Sequence, residues 1–212
     1  RYQRLAGNEV VMVSGSDCHG TPITVSAERE GVTPREIVDR YHPRIEETWE
    51  RLGISFDLYT TTLTENHYAT VQEVFLRLLE QGYLYTAEQD QLFDPDVQRF
   101  LPDRYVEGTC PICQFPEARG DQCDNCGSTL DATDLINPRS RMSGATPVVR
   151  QSTHFFLKLS AFQDGLREWV SKQAHWRRNV ANFTLGWLTE GLKDRAITRD
   201  INWGVPVPVP GY

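Results

Sequence analysis

Four of the five cysteines form two closely spaced pairs in the middle of the chain. Cys110 and Cys113 make the first pair, and Cys123 and Cys126 make the second after a short loop. Two thiolates three positions apart can chelate one ion, and four sulfurs arranged tetrahedrally are a geometry that Zn²⁺ favours. Four thiolates leave no open coordination position, so the spacing predicts one structural zinc ion. Free or disulfide-bonded cysteines and a catalytic zinc are the alternatives.

A second group of polar residues follows an apolar run at residues 8–15, which is typical of a buried strand of a parallel sheet. In open α/β sheets ligands bind at the carboxyl ends of the strands, and glycines on both sides of this group allow close approach. Asp17 and His19 are therefore candidate ligand-binding residues. The alternative is a loop in which both side chains bind only backbone groups. Cys18 between them is either a small packed residue or a reactive thiol.

Helix signals indicate how these groups are positioned. Thr33, followed by proline and by glutamate at the third helical position, predicts a helix start. Pro43 then predicts a kink, or two short helices, before Gly53 ends the segment. A second helix, with apolar residues at spacings of three and four, is predicted to begin near Thr64 and to end at Gly82.

The stretch 84–152 is rich in proline, glycine and cysteine, and predicts short-range structure around the metal site. Beyond it, one helix should open at Ser160 with Gln163 in the capping-box position, and another should span roughly 178–190. The tail 201–212 alternates proline with valine, which excludes a central strand. The pattern is that of an α/β protein whose parallel sheet is incomplete and is interrupted by a cysteine-bearing insert.

Charge and hydropathy exclude several classes of protein. The 212 residues hold 29 acidic and 22 basic side chains, a net charge of −7, so no large phosphate-binding surface is implied. No apolar run approaches the roughly 20 residues needed to span a bilayer, and no signal-peptide layout begins the chain. The cysteine usage fits a reducing compartment, so a cytoplasmic protein is expected. A first residue other than methionine, Arg1, suggests a processed chain, an engineered piece or part of something longer.

Several segments resemble, in order along the chain, the methionyl-tRNA synthetase family of class I aminoacyl-tRNA synthetases. The loop Gly15-Ser-Asp-Cys-His-Gly-Thr-Pro-Ile23 is similar to the strand-end loop of class I synthetases, and its Thr-Pro resembles the methionyl family more than its leucyl, isoleucyl or valyl relatives. The other matching segments begin at Phe100, Ser143, His154 and Thr198.

The resemblance implies a fold and a reaction. The family activates methionine with ATP, as its Mg²⁺ complex, to methionyl-adenylate, and then transfers the methionyl group to tRNA(Met). Its catalytic domain is a Rossmann-type sheet interrupted by a connective peptide with a zinc knuckle. The mapping assigns residues 1–83 to the first Rossmann half, 84–195 to the connective peptide, and 196–212 to the entry of the second half.

The same resemblance assigns roles to site residues. Asp17 and Arg199 would face one another across the methionine and adenylate pocket. A carboxylate can hold the substrate ammonium, while an arginine can orient that carboxylate or stabilise anionic groups. His19 either holds the loop or touches the ligand. Trp203, close to Arg199 in sequence, is either a pocket wall or a packing residue, whereas the tryptophans in helical stretches are expected in the core. These are Trp49, Trp169, Trp176 and Trp187.

The two ATP-binding signatures of the family are not among these residues. The segment Arg141-Met-Ser-Gly144 superficially resembles one of them, but it follows the cysteines, where the family has no catalytic loop, and it is interpreted as a chance likeness. The 212 residues alone are therefore expected not to catalyse methionine-dependent pyrophosphate exchange. A stand-alone, zinc-stabilised module that binds tRNA or protein without ATP chemistry is the alternative. Another aliphatic class I synthetase is disfavoured by the short insert.

Overall fold

The computed structural model describes residues 1–212, which form three small sheets and six α-helices. The helices are α1 (Tyr2–Leu5), α2 (Thr21–Glu30), α3 (Pro34–Arg51), α4 (Glu65–Glu80), α5 (Gln163–Ser171) and α6 (Arg178–Glu190). The strands are β1 (Val13–Ser16), β2 (Leu58–Thr61), β3 (Leu84–Asp94), β4 (Arg99–Phe100), β5 (Val106–Thr109), β6 (Ala118–Arg119), β7 (Ile136–Ser140), β8 (Val148–Leu157) and β9 (Arg195–Ala196). Short 3-10 turns lie at Asp103–Tyr105, Ala132–Asp134 and Leu159–Phe162.

The strand predicted within residues 8–15 is present as β1, which pairs in parallel with β2 from Val13–Leu58 to Ser16–Thr61. It is shorter than predicted and begins only at Val13. The expected burial is wrong for this strand, because β1 has a single neighbouring strand and Val13 remains 58% exposed. The parallel sheet is thus present in part, as the sequence indicated.

The local helix signals are largely confirmed. The Thr33 hydroxyl accepts from the Glu36 N–H at 3.2 Å, and the Glu36 carboxylate accepts from the Thr33 N–H at 2.7 Å, which completes a capping box. Helix α3 continues through Pro43 as one helix, so a division into two short helices is wrong. Helix α4 begins after the cap Thr64 and is followed by Gly82 at φ 75°, as predicted. Helix α2 was missed.

The middle of the chain contains longer-range structure than the sequence suggested. Strands β3 and β8 form an antiparallel ladder of ten residue pairs, from Leu84–Leu157 to Phe93–Val148, in a sheet ordered β4-β3-β8-β9. The expectation of short-range structure throughout 84–152 is wrong here. The two strands are separated in sequence by the entire cysteine-bearing module, so their pairing could not be read from local spacing.

The cysteine-bearing module has its own sheet, ordered β6-β5-β7, and its own core. Cys110 and Cys123 are fully buried in that core. The apolar residues packed around them are Leu92, Leu101, Tyr105, Val106, Ala118, Ala132 and Leu135. Because Leu92 belongs to β3, this core also fastens the module to the four-stranded sheet.

The helical hairpin after β8 corrects two predictions. Helix α5 begins at Gln163, but Ser160 does not cap it, because the Ser160 hydroxyl instead donates to Asp194 at 2.7 Å. Helix α6 matches the predicted span and ends at a glycine with φ 90°. Trp169 and Trp187 are 52% and 61% exposed, so their expected place in the core is wrong. Trp49 and Trp176 are half-buried.

The tail 201–212 contains turns and no strand, as predicted. None of the helices combines the length and the apolar character that crossing a membrane would require.

Candidate functional site

The four paired cysteines converge on one point. Their Sγ atoms all lie within 4.8 Å of one another, with 4.0 Å between those of Cys110 and Cys126 and 3.6 Å between those of Cys113 and Cys123. A tetrahedral ZnS₄ centre with bonds of about 2.3 Å requires sulfur separations of about 3.8 Å. A disulfide requires only about 2.05 Å, and all four cysteines are free. The cluster can therefore hold a metal ion.

Hydrogen-bond donors surround these sulfurs. The Ile112 N–H donates to Cys110 Sγ at 3.4 Å, and the Asn125 amide donates to Cys113 Sγ at 3.6 Å and lowers the pKa of that thiol. Such donors orient metal ligands and stabilise their thiolate form. The turn around the second cysteine pair supplies further hydrogen-bond donors to its sulfurs.

The second cysteine pair shows opposite pKa shifts. The Ser128 side chain and backbone N–H bind Cys126 and lower its pKa to about 6. For Cys123, the backbone N–H of Cys126 favours the thiolate, but burial and the adjacent sulfurs oppose a further negative charge, and the pKa is raised to about 11. Four thiolates this close would repel one another, and a bound cation would stabilise them.

The strand-end loop lies where β1 and β2 finish side by side. Its central residue, Cys18, is 1% exposed. The Cys18 N–H donates to Thr62 Oγ1 at 2.9 Å, its carbonyl accepts from Trp203 Nε1 at 2.6 Å, and its thiol donates to the Ser16 carbonyl at 3.2 Å. The sequence left open whether Cys18 is a packed residue or a reactive thiol, and the structure shows it as a packed residue.

His19 lies in an aromatic cluster beside this loop. Its Nε2 is 3.2 Å from the Tyr68 hydroxyl, and its ring centroid is 5.7 Å from that of Trp203 and 6.3 Å from that of His67. Burial, followed by the nearby His67, lowers the pKa of His19, although Asp17 opposes the shift. A neutral, packed imidazole is suited to holding the loop in place.

Asp17 and Arg199 are placed on different cavities. Asp17 is exposed at the end of β1, where its Oδ1 accepts weakly from the His19 N–H at 3.4 Å. Arg199 lines a cavity of about 260 Å³ together with Asp103, and donates to the carbonyls of Ala196 and Thr198 at 2.9 and 2.8 Å. No salt bridge joins Asp17 to Arg199, so their apposition across one pocket stays a prediction.

A buried histidine lies beside the two residues that flank Arg199, and Asp200 also accepts from the Ser152 hydroxyl at 2.6 Å. His154 on β8 is 2% exposed, with Nδ1 3.1 Å from Thr198 Oγ1 and Nε2 3.3 Å from Asp200 Oδ2. Burial lowers its pKa, against the opposing charge of Asp200. Sequence reasoning noted the segments at His154 and Thr198 separately but had no signal that would pair them.

The parallel strands with a polar loop at their ends, joined to a four-cysteine insert, are the features expected of a class I tRNA synthetase. A family model described as tRNA synthetases class I (M) matches residues 1–212, and the chain belongs to that family. The methionine–tRNA ligase of Thermomicrobium roseum is 58% identical over all of this chain, and that of Dehalococcoides mccartyi is 59% identical. The chain spans 36% and 38% of these two proteins.

A solved structure supports the fold. The methionyl-tRNA synthetase of Mycobacterium tuberculosis, determined in complex with methionyl-adenylate, matches 98% of this chain with a TM-score of 0.68. The match covers 36% of that protein and the identity is 21%, so it bears on architecture alone. The prediction of a partial Rossmann-type sheet interrupted by an insert agrees with this structural similarity.

Proposed function

We propose that these residues contribute one wall of the aminoacylation site, together with its zinc-stabilised insert, to an enzyme that joins methionine to tRNA(Met). The observation that carries the proposal is the 58–59% identity, along the whole chain, to proteins that are methionine–tRNA ligases. In the proposed reaction, the methionine carboxylate attacks the α-phosphate of Mg²⁺-bound ATP and pyrophosphate leaves. A hydroxyl of the terminal ribose of tRNA then attacks the methionyl carbonyl of the adenylate, forming the ester as AMP leaves. The cytoplasm is the proposed location.

The strand-end loop supplies the amino-acid side of this site. Asp17 is the proposed partner of the methionine ammonium, because it is exposed at the strand end and carries no competing salt bridge. An ion pair with hydrogen bonds at this position would fix the amino acid before the adenylate forms. His19 supports the loop from its aromatic cluster, where it is held against Tyr68.

Arg199 is the proposed source of positive charge. A guanidinium can stabilise the anionic groups that develop during adenylate formation. Arg199 is exposed, and the residues on either side of it are held by hydrogen bonds, Thr198 to His154 and Asp200 to Ser152, so its backbone is fixed while its remaining donors stay available. The neighbouring cavity offers room for a polar ligand group.

The proposed metal is one zinc ion bound by Cys110, Cys113, Cys123 and Cys126. The supporting observations are the sulfur separations of 3.6 and 4.0 Å and the burial of two of the cysteines. With four sulfur ligands no coordination position is left for substrate, so the ion would stabilise the insert and take no part in the chemistry.

The test compares Asp17→Ala with Asp39→Ala in the complete gene product that carries this sequence. Asp39 is the matched control, because it lies exposed on α3 and pairs only with Arg35. We expect wild type to bind methionine and a non-hydrolysable methionyl-adenylate analogue by isothermal titration and to catalyse methionine-dependent pyrophosphate exchange. Asp17→Ala should weaken methionine binding at least tenfold, since an ion-paired hydrogen bond contributes about 1.5–3 kcal/mol. Equal affinities in both variants would contradict the assigned role of Asp17.

A further inference from the structure

The peptide groups around Cys18 are held by two segments that are far apart in the sequence. Thr62, directly after β2, accepts from the Cys18 N–H at 2.9 Å. Trp203, in the tail after β9, donates its indole N–H to the Cys18 carbonyl at 2.6 Å. The N–H and the carbonyl in these two bonds both belong to Cys18, which is buried, so water cannot readily replace either bond. Asp17 immediately precedes this doubly held residue.

The backbone on both sides of Trp203 is held by hydrogen bonds. On one side of it, Thr198 is bound to the buried His154 at 3.1 Å. On the other side, the Pro206 carbonyl accepts from the Gln72 side chain on α4 at 2.9 Å. The chain on both sides of Trp203 is therefore fixed by hydrogen bonds. The bond from the indole to Cys18 then fixes the loop at the end of β1 relative to this tail.

The indole ring also packs against the residue that follows Cys18. Its centroid lies 5.7 Å from that of His19, at an interplanar angle of 57°. The ring thus restrains His19 while the N–H restrains the Cys18 carbonyl. The two functions of the side chain can be separated, because phenylalanine retains an aromatic ring but has no donor.

We infer that Trp203 is a positioning residue for Asp17. Its indole N–H, donated to the Cys18 carbonyl, holds the strand-end loop in the geometry in which the Asp17 carboxylate receives the methionine ammonium. The inference rests on the proposed function. It does not require Trp203 to touch the substrate, and it predicts a defect confined to the amino acid.

The experiment uses Trp203→Phe, Trp203→Leu and Thr62→Val in the complete gene product. Trp203→Phe should raise the KM and the Kd for methionine about tenfold, while the KM for ATP and kcat of pyrophosphate exchange change less than twofold, because the released carbonyl loosens only the loop. Thr62→Val removes the opposite anchor and should act in the same direction. Trp187→Phe, at an indole that is 61% exposed on α6, is the matched control and should leave all values unchanged.

Hydrogen exchange supplies a readout that does not depend on activity. In Trp203→Phe, backbone amides within residues 14–20 should exchange faster, while those of the cysteine module 106–140 keep the wild-type rate. Trp203→Leu should add a loss of His19 packing and a larger effect on the same peptide. A local change of this kind supports a positioning role, whereas faster exchange over the whole chain would identify Trp203 as a general packing residue and overturn it.

Failure of this inference is distinguishable from failure of the proposed function. If wild type binds methionine and Trp203→Phe retains the same methionine affinity and the same exchange in residues 14–20, Trp203 has no positioning role. Equal losses for methionine and ATP would also overturn it. If wild type binds neither methionine nor the adenylate analogue, the proposed function is wrong, and the exchange result alone then decides whether Trp203 holds the loop.

Discussion

The Sγ atoms of Cys113, the last cysteine of the first pair, and Cys123, the first cysteine of the second, lie 3.6 Å apart, although nine residues of loop separate them. This separation is too long for a disulfide bond. It is close to the distance between two sulfur ligands of one tetrahedral metal ion. Cys123 is fully buried while Cys113 is partly accessible, so the pair links the core of the module to its surface.

Metal removal should loosen the cysteine module. We expect one zinc ion per chain by elemental analysis, and after treatment with excess chelator we expect proteolytic cleavage within residues 100–130, since a closed ZnS₄ site contributes folding free energy directly. Cys123→Ser should abolish stoichiometric zinc. Cys18→Ser, at the cysteine outside the cluster, should retain it. Persistent protease resistance of residues 100–130 in excess chelator would count against a structural metal.

A buried carboxylate should make stability depend on pH at the acidic end. Burial alone would raise the pKa of Asp94, but donation from the hydroxyls of Ser140 and Ser143 and from the N–H groups of Asp96 and Val97 lowers it below the ordinary value. A group whose pKa is lower in the folded state contributes its full stability above its unfolded pKa of about 4, and that contribution is lost as pH falls through the folded value.

Asp94→Asn should therefore lower the free energy of unfolding by about 2 kcal/mol near neutral pH. The difference from wild type should begin to shrink as the pH falls below about 4, where the unfolded chain takes up the proton, and should vanish only below the lower folded pKa, where the native carboxylate is protonated as well. Urea denaturation of both proteins across this range measures the effect. A difference that stays constant with pH would show that packing, not the charge of Asp94, stabilises this turn.

That turn also explains the segment Arg141-Met-Ser-Gly144. Ser143 donates to Asp94 at 2.6 Å, and the Ser140 hydroxyl accepts from the Met142 N–H at 3.1 Å. These bonds make the segment a structural turn that closes the module, which agrees with its interpretation as a chance likeness to an ATP signature. Sequence similarity over four residues was too short to distinguish a turn from a catalytic loop.

The sequence predicted those structural features that are formed by residues close together in the chain. The capping box at Thr33, the end of α4 at Gly82 and the clustering of Cys110 with Cys126 each involve groups close together in the chain. The ladder between β3 and β8 and the contact of Trp203 with Cys18 join residues far apart, and no periodicity or spacing encodes such partners. The sequence therefore allowed candidate site residues to be proposed, but it did not indicate the contacts that hold them in place.

The capping box at Thr33 should contribute measurably to stability. Thr33→Ala leaves the N–H of Glu36 without its side-chain acceptor at the start of α3 and should lower the free energy of unfolding by about 1 kcal/mol. Thr70→Ala is the matched control, because Thr70 lies within α4 and its hydroxyl only bonds back to the Asn66 carbonyl. There, alanine should be neutral or slightly stabilising. Chemical denaturation of both variants decides, and equal effects at the two sites would rule out a special role for the cap.

Two glycines should respond in opposite directions to the addition of a methyl group. A Cβ at Gly120 would collide with the Asp103 carbonyl oxygen and lie 2.8 Å from the Cβ of Ala132, inside the core of the cysteine module. Gly120→Ala should therefore destabilise by about 1–3 kcal/mol through overpacking. A Cβ at Gly165 in α5 would meet nothing within 4 Å, so Gly165→Ala should stabilise by about 0.5–1 kcal/mol through reduced chain entropy. Thermal unfolding of the two variants should move the midpoint down for Gly120→Ala and up for Gly165→Ala. A wild-type midpoint for Gly120→Ala would mean that β6 and the 3-10 turn at Asp103–Tyr105 can separate without cost, contrary to their close approach in this structure.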